Sequence, residues 1–115
     1  MKKEFITKED LTLSDFNEDF AKSLKDNPKK LYKFITFIIN EYEKDGDFGS
    51  FLEGIKIVAR ATKGMTKISK ETNVKRDTLY KAFSKTGNPE AKTYFDVLRS
   101  IGIEVHYAFK GYKVA

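Results

Sequence analysis

Between Asn27-Pro28 and Asp45-Gly46 the chain places Leu31, Phe34, Ile35, Ile38, Ile39 and Tyr42 at steps of three and four residues. That spacing predicts a helix with one apolar stripe, because a period of 3.6 residues brings these side chains onto a single face. Pro28 suits a first helical turn, where its missing N–H is no loss, and Gly46 suits the left-handed residue that ends a helix. Such a stripe is ordinarily core packing; a groove for a partner or a second copy is the alternative use.

The same reading extends along the chain and gives a mostly α fold. Ser14 or Asp15 is placed to cap a helix with Phe16, Phe20 and Leu24 on one face, broken at Asn27-Pro28. After a turn over residues 46–49, Ser50 is expected to cap a helix that buries Phe51, Ile55, Val58 and Ala59 and stops at Gly64. Two short helices follow, over residues 65–72 and 75–84, then one over residues 90–101 with Tyr94, Phe95, Leu98 and Ile101 inward. In the tail, Ile103, Val105, Tyr107 and Phe109 alternate with Glu104, His106 and Ala108, the period of a β-strand. A lone strand needs a partner for its backbone groups, so pairing with a second copy is expected, with residues 5–7 or 11–13 of the same chain, or a strand of a bound partner, as the alternatives. The expected organisation is an N-terminal helical extension over residues 1–49, free to hold a partner, and a second unit over residues 50–115 that ends in the strand.

With 115 residues, the chain has room for one domain that buries roughly two thirds of its unfolded surface. The absence of cysteine excludes disulfides, thiolate metal sites and cysteine nucleophiles, and fits a reducing cytoplasm. Charges throughout the first ten residues leave no signal peptide or membrane span there, so a soluble cytoplasmic protein is expected. An enzyme is not: there is one histidine, no phosphate-binding loop and no dinucleotide fingerprint, hence no catalytic, metal or cofactor site to assign. His106 reads as a surface or pairing residue. The run Asp45-Gly-Asp-Phe-Gly49 lacks calcium-ligand spacing and reads as a turn between helices.

The net charge of +5 is unevenly placed. Residues 1–27 carry five lysines and seven acids, whereas residues 63–85 carry seven basic residues against Glu71 and Asp77. A basic run is often no more than a solvated face, but this one coincides with a motif. Over residues 65–83, Ile68 and Val74 suit the small core between two helices that cross at a tight turn, with Leu79 and Ala82 as the inward face of the second. Ser69 is small where they cross, and Asn73 tolerates the left-handed backbone such a turn wants. Lys75, Arg76, Asp77, Thr78, Tyr80, Lys81 and Ser84 are then left to face outward. In a helix-turn-helix the start of the second helix reaches base edges in the major groove. Arg76 suits a fork onto guanine; Asp77 suits a cytosine amino group or the orienting of Arg76; Tyr80 suits a base, a thymine methyl or packing against a neighbouring helix. Thr66, Lys67, Lys81 and Lys85 are candidates for backbone phosphates.

The helix-turn-helix resembles that of the Cro and phage-repressor (Xre) superfamily, with its lambda-repressor-like helical bundle. A longer run resembles the addiction-module antidote proteins, antitoxins similar to HigA-type regulators. It is carried by Val58-Ala-Arg-Ala-Thr-Lys-Gly-Met65, Ile68-Ser-Lys-Glu-Thr-Asn-Val74, Thr78-Leu-Tyr-Lys-Ala-Phe-Ser84, Gly87-Asn-Pro89 and Phe95-Asp-Val-Leu-Arg-Ser-Ile-Gly102. The resemblance implies a cytoplasmic homodimer that binds operator DNA, represses its own operon and neutralises a small basic RNA-cleaving toxin of the RelE or HigB kind. The alternatives are a phage-type repressor without a toxin and a protein-interaction module using the aromatic stripe.

Overall fold

The computed structural model describes residues 18–111. Among them the regular structure is helical: α1 (Glu18–Lys25), α2 (Pro28–Asp45), α3 (Phe48–Thr62), α4 (Met65–Thr72), α5 (Arg76–Ala82) and α6 (Ala91–Ser100). The expected caps Ser14 and Asp15, and Phe16 with them, lie outside the described residues.

Asn27 turns the chain between α1 and α2. Its Oδ1 accepts the Lys30 N–H at 3.1 Å, and Pro28 follows in the first helical turn. This corner closes over an edge-to-face pair, Phe20 on Phe34, with ring centroids 5.3 Å apart. The stripe on α2 faces the core as its spacing predicts, with Phe34 and Ile38 fully buried and Leu31, Ile35, Ile39 and Tyr42 half-buried. Gly46 ends the helix in the left-handed conformation, φ 68°, and its N–H donates to the Tyr42 carbonyl.

Ser50 does not cap α3. Asp47 does: its carboxylate accepts the Ser50 N–H at 3.1 Å and the Ser50 hydroxyl at 2.8 Å, so the helix begins two residues before the serine. The acid outranks the hydroxyl here because a charged acceptor suits the positive end of a helix. α3 is the central element. Phe51, Leu52, Ile55, Ile57, Val58, Ala59 and Ala61 are all buried, a wider face than the four positions expected, and they pack on α1 and α2 at one end and α4 at the other. Gly54 lets α2 come close, since a Cβ there would lie 2.8 Å from Ile38 Cγ2. Tyr42, Phe48, Phe51 and Tyr94 form a cluster with neighbouring centroids 5.0 to 6.3 Å apart, which joins α2, α3 and α6.

The tail corrects the expected C-terminal β-strand. Among the described residues, 103–109 belong to no strand. Ile103 is half-buried and donates its N–H to the Leu98 carbonyl at 2.9 Å, closing α6. Beyond it Val105, Tyr107 and Phe109 are exposed, by 43, 82 and 79%. Alternation gives an extended segment two unlike faces, but a strand exists only where another backbone accepts its N–H groups. The segments considered as internal partners, residues 5–7 and 11–13, lie outside the described residues. Phe95 also departs from expectation: it stands at the rim, 37% exposed, edge-on to Tyr94, while Val97 takes the inward place.

Candidate nucleic-acid interface

α4 and α5 are joined through Asn73, Val74 and Lys75, and the turn is held from both sides. Asn73 adopts the left-handed conformation, φ 61° and ψ 36°, and its N–H donates to the Ser69 carbonyl. The Val74 N–H donates to the same carbonyl at 3.3 Å, and the Ser69 hydroxyl donates back to the Val74 carbonyl at 2.5 Å. Ser69 is therefore a cross-brace as well as a small residue. Ile68 and Leu79 are fully buried between the two helices, with Val74 and Ala82 packed at the margin. Phe83, just past α5, is almost fully buried in the core and was not singled out as a core residue in sequence.

With the apolar side fixed inward, the polar side of the pair is presented to solvent. Thr66, Lys67, Lys75, Arg76, Asp77, Thr78, Lys81 and Lys85 are exposed, and Tyr80 is half-buried against the core. The structure brings three of these together. Arg76 Nη1 donates to Thr66 Oγ1 at 3.3 Å, so the first turns of α4 and α5 lie side by side. The same guanidinium lies over the Tyr80 ring, 5.9 Å from its centroid. Lys75 sits at the N-cap of α5, Asp77 in its first turn and Lys81 in its last. At the end of α5, Thr78, Lys81, Ala82, Ser84, Thr86, Gly87 and Asn88 line an open groove.

Not every cation of the basic run is available to a ligand. Lys63 Nζ contacts both oxygens of Glu71, at 2.7 and 2.9 Å, and the Ser100 hydroxyl donates to Glu71 at 2.6 Å. These bonds, with Lys63 as the largest influence, hold the Glu71 carboxyl below its usual range. Lys63 is thus neutralised in a brace linking the end of α3 to α4 and α6. Lys67, Lys70, Lys75, Arg76, Lys81 and Lys85 remain on the surface.

The far end of α5 is pinned by a residue that sequence reasoning missed. Glu53 on α3 is buried, and its Oε2 accepts the Lys85 N–H at 2.8 Å. Lys56 Nζ lies 3.2 Å from Oε1, a charge contact rather than an aligned hydrogen bond. Gly49 faces the same spot: a Cβ there would run into the Lys85 carbonyl oxygen. The start of α3 thereby seats the loop that follows α5 by backbone contact. Among the described residues, no group of three or more His, Asp or Glu is placed to hold a metal, and no helix is long and apolar enough to cross a membrane.

This arrangement of helices lies inside a recognised family. Residues 14–109 match the family described as "probable addiction module antidote protein". The chain belongs to the addiction module antidotes. The antidote match takes in the six helices of the described residues and the tail to Phe109. An uncharacterised protein of Haemophilus influenzae is 30% identical over 70 residues, which span 61% of this chain and 71% of that protein. No solved structure is matched.

Proposed function

We propose that this antidote protein is the DNA-binding antitoxin of a toxin–antitoxin pair, with α4, its turn and α5 acting as a helix-turn-helix. The observation that carries this reading is the exposed row Lys75, Arg76, Asp77, Thr78 and Lys81 on α5, flanked by Thr66 and Lys67 at the start of α4. Helices that need only one apolar side for folding leave such a row free for a groove. Arg76 has the fork geometry that matches guanine O6 and N7, while Lys67, Lys75, Lys81 and Lys85 supply point charges for phosphates. The braced turn supports this use, because recognition needs the second helix held rigidly against the first.

The reading extends to regulation. A two-fold homodimer sets two recognition helices about one DNA turn apart, roughly 34 Å, and occupancy of an operator represses the operon of antitoxin and toxin. Membership of the antidote family supports a toxin as second partner; in this reading it is a small basic RNA-cleaving protein bound through residues before Ser50. The acidic balance of residues 1–27 favours its approach. Nothing in this role requires catalysis.

Binding curves on a selected duplex and on random duplexes, at several salt concentrations, test the DNA part. Affinity is expected to fall steeply with salt, because each neutralised phosphate releases counterion. Absence of salt-dependent binding at micromolar protein removes the reading. Rescue of growth on co-expression with the neighbouring toxin gene tests the second part, and no rescue by the full chain leaves a plain repressor.

A further inference from the structure

We infer that Tyr80 and Thr66 are positioning residues that hold the Arg76 guanidinium ready to read one guanine, an inference that rests on α5 entering the major groove. An exposed arginine ordinarily samples many rotamers, and binding a base edge through one of them loses that freedom. Here the freedom is already restricted in the unbound protein. The guanidinium is held from two directions: Thr66 Oγ1, ten residues earlier on α4, accepts from Nη1 at 3.3 Å, and the Tyr80 ring, one turn further along α5, lies 5.9 Å away. The two supports differ in kind. Thr66 fixes a direction in the guanidinium plane, whereas the ring attracts the cation over its face without using an N–H.

Tyr80 can serve as a platform because it is itself anchored. It is half-buried and packed against the core, while Arg76 and Thr66 are exposed. Of the five N–H donors on a guanidinium, Thr66 engages one, so a pair remains for the O6 and N7 acceptors of guanine. The Thr66 hydroxyl accepts from Arg76 and keeps its own proton, which leaves it able to donate to a nearby phosphate. Among the described residues the guanidinium's contacts are with Thr66 and Tyr80, so the orienting role falls to them and not to Asp77.

The test is the discrimination between the preferred duplex and versions in which each guanine in turn is replaced by 7-deazaguanine or adenine. The intact chain is expected to lose roughly ten- to hundredfold in affinity at one guanine, and Arg76→Ala to lose that discrimination. Thr66→Ala and Tyr80→Leu are each expected to reduce it about three- to tenfold with the salt slope unchanged, the loss of a neutral Thr66 contact to phosphate falling equally on all duplexes and so leaving the discrimination ratio untouched. Thr66→Ser and Tyr80→Phe are expected to restore it, since hydroxyl and ring respectively are kept. Thr66 is exposed, so its variant reports even where Tyr80→Leu harms folding. Discrimination unaffected by Thr66→Ala and Tyr80→Leu overturns the positioning role alone, as does a Tyr80→Phe variant as impaired as Tyr80→Leu. A preferred duplex with no sensitive guanine also overturns it. No duplex binding by the intact chain overturns this inference and the DNA-binding reading together.

Discussion

A single buried carboxylate shows how far a residue's role can lie from its local sequence. Glu53 falls on a helix whose other inward positions, Ser50 apart, are apolar, yet it is buried where the Lys85 N–H, 32 residues away, needs an acceptor once the loop after α5 has closed. Glu53→Ala leaves that donor and the Lys56 ammonium without their partner, and should cost about 2 to 3 kcal/mol, since hydrogen bonds to charged groups are worth that much. Glu53→Gln retains an acceptor for the N–H and should cost less. Urea midpoints of the three chains measure both, and equal midpoints for the intact chain and Glu53→Ala contradict the pin. Glu71 carries a different signature, readable by pH. Its carboxyl is held below the usual glutamate range by Lys63 and Ser100, so in acid the unfolded chain binds the proton first and folding is favoured by higher pH. The stability advantage of the intact chain over Glu71→Gln is therefore present above about pH 4.5 and is lost as the pH falls through the lower folded value. Unfolding curves at a series of acid pH values check the sign, and an advantage that grows on acidification reverses the assignment.

At the scale of the element, α3 packs against α1, α2 and α4, and of its two glycines Gly49 has the tighter surroundings. Alanine there drives a methyl into the Lys85 carbonyl, and because the obstacle is backbone it does not yield as a side-chain tip does. Gly49→Ala should destabilise by about 1 to 3 kcal/mol, the usual range for overpacking, and calorimetry reads it directly. A stable Gly49→Ala chain shows instead that the start of α3 can slide away from the loop. What was legible in sequence follows the same division between local and distant causes. α2 could be read with both ends because its stripe, Asn27-Pro28 and Asp45-Gly46 are all local signals. The α4 and α5 turn was legible for the same reason: Asn73 stands in the left-handed conformation its residue type tolerates, and Ile68 and Leu79 are fully buried. The exposed site residues followed by subtraction. The Glu53 pin, Phe83 behind the end of α5, and the contacts that hold Arg76 depend on how segments meet in space. The tail failed for a related reason, because the alternation of residues 103–109 specifies faces and not a partner.

Over the whole molecule, charge connects the fold to the proposed DNA binding, which provides a way to count chains on a duplex. A phosphate neutralised by lysine contributes about 0.9 to the slope of log affinity against log salt, so removing one contact per complex lowers the slope by about that amount. Lys67 and Lys81 are exposed on the face with Arg76, and among the described residues Lys67 acts on the Lys63–Glu71 brace only through its charge, whereas Lys63 is in direct contact with Glu71. Lys67→Ala is therefore expected to weaken binding to all duplexes about equally, with little change in thermal stability. In a two-fold dimer each substitution removes two contacts, so the slope should fall by roughly 1.8, whereas a monomer on DNA loses roughly 0.9. Lys63→Ala serves as the internal contrast, since it should lower stability more than the salt slope. Anisotropy titrations between 50 and 200 mM salt, about the range over which such slopes are resolved, give the number, and light scattering of the free protein gives the mass to set beside it. A slope change near 0.9 for Lys67→Ala with monomeric mass removes the two-fold arrangement while leaving α5 as the DNA-reading helix. No slope change for either Lys67→Ala or Lys81→Ala moves the phosphate contacts off this face.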